Sequence, residues 1–88
     1  PARTLRLHVL GTDRPGFVAR VSGAVAGHGV GIEEIATGLQ DAPMAGGVLF
    51  EIDARLDVGP DADLDALRDA LDALADDLMV DVELAEDA

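Results

Sequence analysis

The chain has 88 residues and a formal net charge of −12, and its six basic residues are all arginine. That balance argues against nucleic acid as a partner, because such binding needs a positive footprint and, for single strands, stacking aromatics, of which there are only two Phe. With no Cys, Lys or Asn, one Ser (Ser22) and two His (His8 and His28), the chain excludes thiol nucleophiles, disulfides and thiolate metal sites and leaves few groups for catalysis.

A chain of this length suits one domain, residues 1–88, able to hide about 60–65 % of the surface its extended form exposes, so self-association would add stability. No apolar run approaches the roughly 20 residues needed to cross a bilayer, and the N-terminus has no signal-peptide core. A soluble, cytoplasmic protein without membrane contact is expected.

In chain order, residues 4–10 alternate Leu5, Leu7 and Val9 with Arg6, His8 and Leu10, the period of a strand. The hexapeptide Gly11-Thr12-Asp13-Arg14-Pro15-Gly16 then reads as a strand-to-helix junction. Asp13 suits a helix cap, Pro15 the first helical turn, and Gly16 a place where another group approaches the backbone. Exposed N–H groups at such a terminus attract carboxylates and phosphates, although a tight, well-capped turn gives the same pattern. A helix over about residues 15–28 carries Phe17, Val18, Val21, Ala24 and Val25 on one face and closes at Gly29, expected to be left-handed.

Residues 32–40 read as extended, with Ile35, Thr37 and Leu39 on one face, and residues 41–47 as turn material. Residues 48–56 alternate Val48, Phe50, Ile52, Ala54 and Leu56 with Leu49, Glu51, Asp53 and Arg55, a strand with one wet face. The helix over about residues 62–77 bears Leu64, Leu67, Leu71, Leu74 and Leu78 in one stripe, with Asp61, Asp63 and Asp65 at its start, where the helix dipole favours them. A last strand spans residues 80–84, and the acidic tail from residue 85 is expected to fray.

The order βαββαβ predicts the ferredoxin-like α+β sandwich, one four-stranded antiparallel sheet with two helices on one face. Arg6 and His8 then fall on the open face between Glu51 and Asp53 on one side and Asp81 and Glu83 on the other, where cross-strand ion pairs are expected rather than a metal. Ser22, mid-helix with no base in sequence reach, reads as structural, and Met44 as loop packing.

The run 11–16, followed by a helix ending in His28-Gly29-Val30-Gly31-Ile32-Glu33, resembles the ACT domain, a small βαββαβ module that commonly senses amino acids in regulatory proteins. Asp13-Arg14-Pro15-Gly16 with Ala42-Pro43-Met44-Ala45-Gly46 and Leu49-Phe50 is most similar to regulators of the glycine cleavage system, and the first of these motifs also to the ACT segment of formyltetrahydrofolate deformylases. The resemblance implies a non-enzymatic regulatory module without cofactor or metal, binding a small amino acid or related metabolite. Its site would join Thr12, Asp13, Arg14, Pro15 and Gly16 to His28, Gly29, Val30, Gly31 and Ile32, shared with a partner subunit. Where amino-acid-binding ACT domains carry polar anchors, this chain has Gly11, Asp13 and Gly31, so a ligand-free dimerisation module stands as the alternative. The second expected partner is another copy, in a homodimer through Ile35, Thr37 and Leu39, since residues 35–40 would form a charge-free sheet edge. An acylphosphatase-like hydrolase would need an Asn beside its Arg, and there is none.

Overall fold

The computed structural model describes residues 3–12, 16–41 and 47–86. Six elements follow the expected order: β1 (Arg3–Thr12), α1 (Phe17–Ala26), β2 (Val30–Asp41), β3 (Val48–Val58), α2 (Leu64–Leu78) and β4 (Asp81–Glu86). The sheet is ordered β2-β3-β1-β4 with every neighbour antiparallel, so β2 and β4 are its edges. This is the ferredoxin-like sandwich.

Period-2 alternation buries Leu5, Leu7 and Val9 of β1 and Ile52, Ala54, Leu56 and Val58 of β3. Helix period brings Phe17, Val21 and Val25 of α1 and Leu67, Leu71, Leu74 and Leu78 of α2 onto them. Asp63 starts α2 by accepting a hydrogen bond from the Ala66 N–H at 3.1 Å, the role expected of an acidic residue there. Helix α1 starts differently from expectation. Its N-cap is Gly16, left-handed at φ 81 and with no side chain to offer, and helical structure begins at Phe17 rather than at Pro15. Asp13, Arg14 and Pro15 lie outside the described residues, as does the motif 42–46 with Met44. At the other end, Gly29 has the left-handed conformation expected, φ 75.

Two strand details depart from the sequence reading. The tail does not end the sheet at residue 84: β4 continues to Glu86, which pairs with Leu5 in the ladder and with the Arg3 guanidinium. In β2, Ile32 lies opposite Leu56 and Glu34 opposite Arg55, so Glu33 is an extra, bulged residue. The bulge reverses the alternation, and Val30, Ile32, Ile35, Thr37 and Leu39 all come to the helix side, opposite Val58, Leu56, Ala54, Ile52 and Phe50. Val30 is buried in the core, but beyond it the helices leave that side of β2 open. Ile35 is 44 % and Leu39 67 % exposed, and Val18, Ile32 and Val48 are also open.

Candidate functional site

The two halves of the expected ligand site lie at opposite ends of the sheet. Arg3 and Val30 both stand opposite Val58, whereas Thr12 stands opposite Leu49. The nine steps from Arg3 to Thr12 correspond to about 30 Å at roughly 3.3 Å per residue. Within one chain, residues 12 and 16 therefore cannot act with residues 28–32 on one small molecule.

At the upper end, Gly11 is the tightest position. A Cβ there would fall 2.2 Å from Val80 Cγ1 and 2.7 Å from Val80 Cβ, so the residue is small because α2 turns into β4 against it. Phe17 anchors the first turn of α1 on Phe50, with ring centroids 5.5 Å apart and planes tilted by 57°. Gly16 faces open space where a Cβ would stand, so its need for glycine is its left-handed backbone and not a neighbour. Val80, next to Gly11, is preceded by Met79, which is 78 % exposed and holds a left-handed φ of 57, uncommon for a residue with a side chain. Sequence reading missed both Met79 and the contact of Gly11 with Val80, since neither leaves a periodic signal.

At the lower end, His28 donates from Nδ1 to the Ala24 carbonyl oxygen at 2.6 Å, closing the last turn of α1. That bond leaves Nε2 as the ring atom available to other groups. Gly29 packs on the connection before α2: its Cβ position lies 3.6 Å from Ala62 Cα, and its carbonyl oxygen 3.2 Å from the Cβ position of Gly59. Beside them, a hollow of about 460 Å³ is lined by residues that include Arg3, Val58, Pro60 and Leu64.

The open face carries the ion pairs expected of it. Arg6 reaches diagonally to Asp53 at 2.9 Å rather than to Arg55, its direct cross-strand neighbour of like charge. His8 Nε2 lies 2.6 Å from Glu51 Oε2, and Arg55 pairs with Glu34 at 3.6 Å. Hydrogen bonds from His8 and then from Gln40 hold the Glu51 carboxyl below the usual carboxylate range. Because the folded value lies below the unfolded one, the stabilisation from Glu51 is present above the unfolded value and is lost as pH falls through the folded value. His8→Ala is therefore expected to move the NMR titration of the Glu51 carboxyl upward, and an unmoved titration would show that His8 does not hold it. Among the described residues no cluster of three or more potential ligands could hold a metal, and no helix is long and apolar enough to cross a membrane.

The profile of the ACT domain family matches residues 3–85. The chain belongs to the ACT domain family. Among solved structures, this ACT domain is similar to an unknown protein from Galdieria sulphuraria, at 31 % identity and TM-score 0.86 over 99 % of the chain. It is also similar to an ACT domain protein from Streptococcus pneumoniae, at 27 % identity and TM-score 0.79 over 98 % of this chain and 91 % of that one. A putative glycine cleavage system transcriptional repressor shares the fold at 18 % identity and TM-score 0.77, over 99 % of this ACT domain and 47 % of the repressor. No curated protein matches significantly. The chain spans half the length of the Galdieria protein.

Proposed function

We propose that this ACT domain is a non-enzymatic regulatory module that binds a small amino acid or related metabolite, resembling the regulators of glycine cleavage, and that it does so as a homodimer. The observation that carries the reading is the placement of the two motif segments at opposite ends of the sheet, next to an uncovered edge strand. A two-fold axis at the β2 edge runs the partner's sheet the other way. The partner's lower end, with its residues 28–32, then comes to the upper end of the first copy, the end that carries Thr12 and Gly16. Each dimer would hold two such junctions, one per copy. At each, the N–H groups that open α1 suit a carboxylate, and the Asp13 carboxylate of the sequence motif suits an ammonium. The motifs 13–16 and 42–46 support the likeness to glycine cleavage regulators.

The expected result is that at least one small amino acid at millimolar concentration raises Tm and moves the amide resonances of Gly16, Phe17, Gly29, Gly31 and Ile32. At a hundredfold excess over Kd, mass action gives about 2.7 kcal/mol, on the order of 10 °C for a domain of this size. The replacement of polar anchors by Gly11 and Gly31 favours a second reading, a dimerisation module without ligand. A complete panel of the twenty amino acids without a shift in either observable would decide for that second reading.

A further inference from the structure

We infer that two copies of the chain pair through β2 in a single register, centred on Thr37, and that this register joins the open-face polar networks of the two copies. The inference rests on the dimer proposed above and goes further by specifying which residue meets which. In an antiparallel ladder, directly opposed residues share a face. A strand that pairs with its own copy past the Glu33 bulge must therefore have a residue, and not a peptide bond, on the axis. Only three centres keep the apolar residues 35–39 within the ladder: residues 36, 37 and 38.

Centring on Gly38 sets Ile35 opposite the partner's Asp41, and centring on Ala36 sets Leu39 against the bulge at the partner's Glu33. Both bring an apolar side chain against a carboxylate. Centring on Thr37 sets Ile35 opposite the partner's Leu39, twice, on the helix side, and covers the two most exposed of these side chains with each other. On the open face it sets Ala36 opposite the partner's Gly38, and Gln40 opposite the partner's Glu34. The regular part of β2 past the bulge runs over residues 34–41, and the register centred on Thr37 pairs residues 34–40 of it without reaching the bulge.

Gln40 already donates to Glu51, and Glu34 already pairs with Arg55. A Gln40 amide placed between Glu51 of its own chain and the partner's Glu34 has two N–H donors for two carboxylates. The chain of contacts then runs from His8 through Glu51 and Gln40 to the partner's Glu34 and the partner's Arg55, without a break at the seam. The same register settles the height of the composite site. Thr37 is level with Ile52 and Val9, and Ile32, opposite Leu56, is four β3 steps below. The axis lifts the partner's Ile32 four steps above, level with Val48, one step past Thr12 and Leu49.

The chain has no cysteine, so single introduced cysteines report the register cleanly. Thr37→Cys, Ala36→Cys and Gly38→Cys are each oxidised and run on a non-reducing gel, with light scattering of the unaltered chain alongside. Directly opposed strand residues fall within the Cα separation a disulfide spans. Thr37→Cys is expected to cross-link to itself, and the other two only when mixed with each other. Self-cross-linking of Ala36→Cys or Gly38→Cys ahead of Thr37→Cys would overturn the register. A dimer by light scattering with no cross-link from any of them would overturn the β2 seam, whereas a monomer at tens of micromolar would overturn the dimer itself. As a second variant, Gln40→Glu should weaken dimerisation about tenfold, because it opposes the partner's Glu34 with like charge. Glu34→Lys in that background should restore it, and failure to restore would show that the two residues do not meet.

Discussion

Gly11→Ala is expected to lower stability by about 1–3 kcal/mol, the range for an added methyl in a packed interior. The methyl would stand 2.2 Å from Val80 Cγ1 and 3.2 Å from Val80 Cα, so a rotamer change of Val80 does not relieve the contact and the backbone between α2 and β4 must move. In urea, the midpoint should fall with the slope unchanged. Val80→Ala removes Cγ1, the nearest atom, but leaves Cβ at 2.7 Å, so the double variant should be less destabilised than the two single changes added together while keeping part of the loss. Gly23→Ala is the control: it lies in α1 with open space where the Cβ would go and is expected to stabilise by about 0.4–1 kcal/mol. Equal losses at residues 11 and 23 would show that the contact with Val80 is not the cause.

Leu67→Ala should cost about 2–5 kcal/mol, a large share of the 5–15 kcal/mol typical of a small domain. Leu67 is fully buried, in the first half of α2, so neighbouring side chains cannot collapse into the space without shifting the helix. Leu64, at the start of the same stripe and only partly buried, should cost less on the same change. The check is the order of denaturation midpoints. Equal midpoints for the two variants would mean that α2 is loosely seated and that its stripe is not core.

The order of the six elements and the buried face of each helix were legible because both depend on period, and period survives in the residues themselves. The leucine stripe of α2 and the alternation of β1 and β3 left one arrangement. The bulge at Glu33 was harder, since one added residue between two glutamates has no composition of its own. Its mark is a change of phase: Val30 and Ile32 fall on even positions, and Ile35, Thr37 and Leu39 on odd ones, although all share a face. At the start of α1 the described cap is the left-handed backbone of Gly16, which no side-chain pattern announces, and Asp13 and Pro15 lie outside the described residues. For the site, the sequence supplied the segments and the topology supplied their separation. Gly11 looked like part of a binding loop, but its contact is with Val80, a partner 69 positions away that no local pattern indicates.

The β4 edge carries Asp81 and Glu83, and Arg68 of α2 donates to the Leu84 carbonyl oxygen at 3.3 Å. In the vocabulary of polymer chemistry, a sheet with two open edges is a bifunctional monomer, and its product is a filament whose length depends only on concentration. A sheet with one edge guarded by charge and engaged by a side chain is monofunctional, and its coupling ends at the first step. Two copies joined at β2 as proposed would present only β4 to the outside, at both ends, and the product would have a fixed size. On that proposal, Arg68→Ala would free the Leu84 carbonyl and shift the functionality of the unit from one toward two, so that growth beyond the pair would become a matter of dose.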